Sequence, residues 1–176
     1  LAGAILFIVH QVPVKASLFL VGGIIEHAAG STALSRVGGL ARRTPVAAVL
    51  FLLAAGSLAG IPPLSGFVGK LALVEAGFEA GRFGVVGISL AVSLLTLFSM
   101  VKIWNGVFWG VPEQPTPQLL ESSGRLATPP LMHLAAGTLV ALTVAIAVWS
   151  GPLYRVCTDA AATLIDPTPY VEAVLP

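Results

Sequence analysis

The stretch AGIPPLSGFVGK (residues 59–70) decides the fold, because it places two consecutive prolines inside an apolar part of the chain, residues 45–77. Pro62-Pro63 lacks both amide protons, and each ring clashes with a preceding carbonyl in a continuous helix. We therefore predict two half-helices, about 46–59 and 66–76, with an irregular joint between them. A proline kink within one ordinary membrane span is the alternative.

The composition of the whole chain indicates a membrane protein. Apolar residues make up 56% of the 176 residues and charged residues only 10%, and the mean hydropathy is +0.95. A soluble domain carries about 25% charged residues. A net charge of +1 argues against a nucleic-acid partner, and the single cysteine can form neither an internal disulfide nor a metal site alone. We expect no metal and no cofactor.

Four apolar segments are long enough to cross a bilayer core of about 30 Å as helices. They lie at about 1–25, 45–79, 84–109 and 131–150. We predict an all-α polytopic membrane domain over residues 1–150, with about four transmembrane helices and the second of them broken at Pro62-Pro63. Residues 151–176 are predicted to form a C-terminal tail with an interfacial helix.

The loop arginines predict the orientation of these segments. The loops after the first and third segments carry four of them and the other side carries two, namely Arg36, Arg42, Arg43 and Arg125 against Arg82 and Arg155. Because cytoplasmic loops are rich in basic residues, we expect the C-terminus on the outer side of the cell (inner) membrane. The chain opens inside an apolar run without Met, so we expect it to be a fragment.

Two lysines within apolar segments are the main functional candidates. Lys15 lies near the middle of the first segment, where insertion scales charge a lysine roughly 2.5–3.5 kcal/mol. We expect it to face the bundle interior and relay protons; a permanently charged lysine paired with a carboxylate is the alternative. Gln11 shares its helix face. His10 is either a proton-exchanging link or a hydrogen-bonded core histidine.

Lys70 lies beside the predicted joint. The joint residues are Gly60, Pro62 and Pro63, with Ser65 as a secondary candidate next to them. Free backbone groups at such a break can hold water or a cation, so we predict Lys70 as the second relay residue. A lysine that snorkels outward from a kinked helix is the alternative. Glu75 either ends a path to the surface or is an ordinary interfacial carboxylate.

A third lysine, Lys102, lies near the end of the third segment, beside Trp104 and Trp109. Within such an aromatic belt it is expected to snorkel to the interface, and a relay role is secondary. The sequence contains no nucleotide-binding loop, no Ser/His/Asp set and no cluster of metal ligands. Movement of ions or protons is therefore the chemistry it supports best, and we do not expect an enzyme.

Three motifs resemble a known family of membrane subunits. They are HQVPVKASLFLVGG (10–23), GGLARRTP (38–45) and AGIPPLSGFVGK (59–70). This antiporter-like family is shared by Mrp-type multicomponent sodium/proton antiporters and the proton-pumping subunits of complex I (NADH:quinone oxidoreductase). Gln11 stands where complex I relatives carry a histidine, which favours the Mrp type, and the chain is most similar to the D-type subunits of those antiporters.

The resemblance implies a parent subunit of about fourteen helices, of which this chain would be the last four plus the tail. It implies a proton-translocating antiporter subunit with Lys15, Lys70 and His10 as the relay, exchanging protons for Na+ or another monovalent cation. Its partners would be lipid and other membrane subunits. One alternative is a proton-pumping subunit of complex I or of a membrane hydrogenase. Another is a non-transporting membrane scaffold or degenerate fragment.

Overall fold

The computed structural model describes residues 1–121, 124, 126–166, 168, 171 and 174, among which no strand occurs. The α-helices of this described part are α1 (Ala2–Ala29), α2 (Leu40–Arg43), α3 (Pro45–Ala59), α4 (Ser65–Glu79), α5 (Phe83–Trp104), α6 (Pro117–Glu121), α7 (Pro130–Val148) and α8 (Ser150–Ile165). Helix α5 continues into a π-helical segment, Asn105–Trp109.

Among the described residues, three helical stretches are long and apolar enough to cross a membrane: α1, Phe83–Trp109 and α7. The remaining predicted span consists of α3 and α4, which have 15 residues each. At 1.5 Å per residue, each is about 22 Å long and shorter than the bilayer core. The prediction of an all-helical, polytopic membrane protein with a broken second segment is thus confirmed.

Helix α1 is the centre of the bundle and packs against α3, α4, α7 and α8. Its buried residues recur every three or four positions, as expected for one helix face, and include Leu6, His10, Val14, Ser17 and Val21. Pro13 lies within this face without ending the helix. Toward the end of α1 the core is completed by Phe51 and Phe108, whose ring centroids lie 5.3 Å apart.

The two arginine-bearing loops, after α1 and after α5, lie at the same end of the bundle. The Thr116 hydroxyl donates to the carbonyl of Ala29 at 2.6 Å, and the Arg43 guanidinium donates to the carbonyl of Leu119 at 2.8 Å. The sequence predicts that these two loops lie on the same side of the membrane, and this geometry agrees with that prediction. The side of the membrane on which they lie stays a prediction, and Arg125 falls outside the described residues.

Helix α8 follows α7 almost directly and packs against α1. Cys157 and Ala161, four residues apart on one face, are buried, while Arg155 and Asp159 are exposed. The tail therefore begins as a helix, as predicted, but the apolar Val156, Ala160 and Leu164 on which the prediction rests are exposed. Its interfacial position stays a prediction, and the rest of the tail is described only at residues 166, 168, 171 and 174.

Candidate functional site

The break between α3 and α4 is built from local chemistry. Helix α3 ends at Ala59 and is followed by Gly60, whose φ of +89° lies in the left-handed region that glycine adopts without strain. The amides of Gly60 and Ile61 donate to the carbonyls of Ser57 and Gly56 at 3.2 and 3.0 Å, which is the Schellman arrangement. The two prolines follow, and Ser65 starts the next helix.

Lys70 spans this break and binds the end of the first half-helix. Its ammonium donates to the carbonyl oxygen of Ala59, the last residue of α3, at 2.7 Å. The last carbonyls of a helix lack intrahelical partners and carry its negative partial charge, so a cation is favoured there. A Cβ at Gly60 would lie 2.8 Å from the Lys70 Cδ. The glycine therefore also leaves space for the lysine stem.

His10 connects α1 to both half-helices. Its Nδ1 lies 2.9 Å from the Ser65 hydroxyl, and that oxygen lies 2.9 Å from the Ser57 hydroxyl. All three side chains are buried. The structure thus places His10 next to the break and shows a hydrogen-bonded core histidine, while a proton-exchanging role stays a prediction.

Gly66 permits this close packing of the two half-helices. A Cβ at Gly66 would overlap the carbonyl oxygen of Ser57 and would lie 3.1 Å from the Nε2 of His10. Within the described part of the chain, that Nε2 is buried without a hydrogen-bond partner. One ring nitrogen is therefore held by Ser65, and the other lies against the first turn of α4.

Lys15 is exposed, contrary to the expectation that the helices of this chain enclose it. The buried face of α1 passes through His10 and Val14, and Lys15 lies on the adjoining face. There it lines an open groove of about 710 Å³ between α1, α4 and α5. Lys70 and Gln11 line the same groove, and within the described residues the Gln11 Oε1 is buried without a partner.

Two further grooves adjoin this one, and the lysines lie where they meet. Lys70 also lines a groove of about 520 Å³ that extends to the break. Lys15 also lines a groove of about 600 Å³ that extends toward the π-helical end of α5. The three grooves form a row, and we name it the lysine groove row. It contains both Lys15, from the middle of the first apolar segment, and Lys70, from beside the joint.

Two of the other candidates, Glu75 and Lys102, line none of these three grooves and are exposed, on α4 and near the end of α5 respectively. Pro62 and Pro63 are exposed at the break, where Pro62 and Gly60 line the groove of about 520 Å³. No group of three or more His, Cys, Asp or Glu side chains that could hold a metal ion occurs among the described residues.

Sequence reasoning missed several hydroxyl side chains. Ser57 joins the His10 network from α3. On α5, three residues at helical spacing line the central groove, namely Ser89, Ser93 and Thr96. The available signal was a row of hydroxyls at i, i+4 and i+7 on an otherwise apolar helix, which places them on one face.

Comparisons with known proteins agree with this geometry. Residues 1–96 match the family model described as NADH:quinone oxidoreductase/Mrp antiporter, TM. The chain is 41% identical, over 99% of its length, to the D-type subunit of the Na(+)/H(+) antiporter of Alkalihalophilus pseudofirmus, of which it covers 34%. It is 30% identical, over 86% of its length, to an N-type subunit of the NADH-quinone oxidoreductase of Opitutus terrae, of which it covers 30%.

A solved structure of the Mrp complex from Dietzia sp. contains a chain with a closely similar fold. The TM-score is 0.88 at 34% sequence identity, and the match covers 100% of this chain and 40% of that one. The chain thus spans about one third of the length of the curated relatives that it matches.

Proposed function

The chain belongs to the NADH:quinone oxidoreductase/Mrp antiporter transmembrane family, and from this we propose that it is the proton-translocating part of a subunit of a multicomponent cation/proton antiporter. Protons pass along the lysine groove row through Lys15 and Lys70, in exchange for Na+ or another monovalent cation. Other membrane subunits of the complex are its partners. The subunit lies in the cell membrane with its C-terminus on the outer side.

One observation carries the proposal: both intramembrane lysines lie at the junctions of three adjoining grooves. An ammonium within a membrane is costly and marks ion or proton pathways. A lysine can take part in proton transfer when its environment brings its proton within reach of water or another base. Lys70 is the stronger candidate, because its ammonium also lies at the break, where it binds the last carbonyl of α3.

His10 is the third member of the proposed relay. It approaches α4 one turn before Lys70, since its Nε2 lies against Gly66 and residues four apart share a helix face. An imidazole can hold a proton on either ring nitrogen, so it can accept a proton at one nitrogen while the other stays hydrogen-bonded. Gln11 and Ser65 support the path as hydrogen-bonding groups. Glu75 is exposed and is placed at the end of the path, whereas Lys102, which is exposed and lines none of the three grooves, is placed outside it.

The test is cation-dependent ΔpH in everted membrane vesicles that contain the complete subunit within its native complex. Lys70→Ala and Lys15→Ala are expected to abolish most exchange at unchanged assembly, and Lys102→Ala, the exposed matched control, to retain it. If both lysine variants exchange normally at normal expression, the subunit is a non-transporting scaffold and the proposal is wrong.

The likeness to an NADH-quinone oxidoreductase subunit favours a second candidate function. In this case electron transfer in other subunits would drive protons along the same groove row. The same vesicles distinguish the two functions. A cation gradient alone drives proton movement in an antiporter, whereas a redox-driven pump responds to an oxidisable substrate and not to the cation.

A further inference from the structure

His10, Ser65 and Ser57 form one buried hydrogen-bonded unit that joins three helices. His10 and Ser65 are 55 positions apart in the sequence, yet the Nδ1 and Oγ atoms lie 2.9 Å apart. The Ser57 hydroxyl lies at the same distance from Ser65 on its other side. Buried polar groups cost free energy unless they are paired. The serine pair removes that cost for one histidine nitrogen only.

A hydroxyl partner leaves both protonation states of Nδ1 open to a buried histidine, because a hydroxyl can both donate and accept. A carbonyl or carboxylate only accepts, and it fixes the proton on the nitrogen that it binds. Ser65 can accept from Nδ1–H and donate to Ser57, or accept from Ser57 and donate to a bare Nδ1. The pair therefore supports both neutral tautomers and the imidazolium without moving the ring.

The second ring nitrogen is the one left free to change its proton. Nε2 has no partner within the described part of the chain and lies against Gly66. Gly66 and Lys70 are four residues apart on α4 and share one face, about one turn or ~5.4 Å from each other. The Lys70 ammonium donates one of its three N–H groups to the carbonyl of Ala59. Its other two N–H groups remain available to water or His10.

We propose that Ser65, supported by Ser57, is a positioning residue that holds His10 while Nε2 takes up and releases the proton it exchanges with Lys70. When Lys70 gives up a proton, its ammonium becomes an amine and the neutral imidazole becomes an imidazolium. Nδ1–H then donates to Ser65, whose hydroxyl turns toward Ser57. The imidazolium then passes its Nε2 proton back to the Lys70 amine or on to a water molecule, which restores the neutral ring. The inference rests on the proposed proton path.

The experiment measures exchange in the same vesicles for a set of serine and histidine variants. Ser65→Ala is expected to slow exchange at least about tenfold at normal assembly, because loss of positioning removes part of the roughly 10²–10⁴-fold that a positioned proton-transfer group contributes. Ser65→Thr retains the hydroxyl and is expected to keep at least about half of the rate. Ser57→Ala leaves Ser65 able to bind Nδ1 but removes its support, so an intermediate loss is expected.

Ser17→Ala is the matched control. Ser17 is also a buried serine of α1, but its hydroxyl donates to the carbonyl of Val14, in its own helix. It does not contact His10 in this network, so its removal is expected to leave exchange unchanged. Loss of exchange in both Ser17→Ala and Ser65→Ala would show a general packing effect and overturn the inference.

The decisive readout is a double-mutant cycle with His10→Ala. If Ser65 acts through His10, adding Ser65→Ala to the His10→Ala variant causes no further loss of exchange, which is strong non-additivity. If the two losses multiply, Ser65 does not act through His10 and the inference is wrong, while Lys70→Ala still tests the proton path separately. Unchanged exchange in Ser65→Ala would also overturn it.

Discussion

The ammonium of Lys70 donates a hydrogen bond to the carbonyl oxygen of Ala59 across the break in the second span, at 2.7 Å. The lysine of one half-helix thus neutralises the negative end of the other. The same side chain lines two of the grooves. The Nζ atom of Lys70 therefore makes a structural contact and is also the proposed proton site. Removal of Lys70 therefore affects stability and transport in different ways.

Lys70→Met should abolish exchange without lowering stability. The variant leaves the Ala59 carbonyl without this partner, at a cost of about 1–3 kcal/mol. It also relieves roughly 2.5–3.5 kcal/mol that insertion scales assign to an intramembrane lysine. The melting temperature of the purified complex should be unchanged or higher. A clear fall in melting temperature, with Lys102→Met as the control, would mean that Lys70 is mainly a structural cap.

Gly60→Ala should destabilise the joint more than the matched change Gly81→Ala. Both glycines have positive φ, +89° and +66°, so alanine costs about 1–2 kcal/mol of left-handed strain at each. Only at Gly60 would the new Cβ also meet Lys70, 2.8 Å from its Cδ. Thermal unfolding and exchange of the two variants check this. Equal losses would show that the glycine matters for its backbone alone.

Gly66→Ala should separate α3 from α4. Its Cβ would overlap the carbonyl oxygen of Ser57, and overpacking of this kind costs about 1–3 kcal/mol or more. Gly137→Ala in α7 is the control, since no atom lies within 4 Å of its added Cβ. Helix propensity makes that change neutral or stabilising by up to about 1 kcal/mol. Comparable melting temperatures for the two variants would contradict the close approach.

Ser93→Cys should react with a water-soluble thiol reagent in the assembled complex. Ser93 lines both the central groove and the groove at the break, so a proton path there brings water to this position. Ser93 and Ser99 each donate to a carbonyl of their own helix, those of Ser89 and Leu95. Ser99, however, does not line these grooves. Ser99→Cys is therefore expected to react far more slowly. Equal labelling would argue against water in the groove row.

The sequence predicts the parts of this site that depend on neighbouring residues. The end of α3 and the start of α4 follow from Gly60 and two prolines, whose backbone restrictions are local. The contact of His10 with Ser65 joins positions 55 apart, and no local pattern reveals it. The exposure of Lys15 depends on which face of α1 the other helices cover, which spacing alone leaves open.

The aligned hydroxyls of α5 illustrate the same limit. Their spacing marks one face, but only the packing of α5 beside α1 and α4 turns that face toward the lysines. Ser57 was missed for a related reason, since one serine in an apolar helix commonly bonds back to its own backbone. Its contact with Ser65 exists because Gly66 lets the two half-helices approach.

The glycine at position 66 has a mechanical consequence. The Ser57 carbonyl lies against α4, and His10 is hydrogen-bonded to the first residue of that helix. An opening at the joint therefore either breaks this hydrogen bond or moves the central helix α1, which carries Lys15. The contact couples the surroundings of the two lysines.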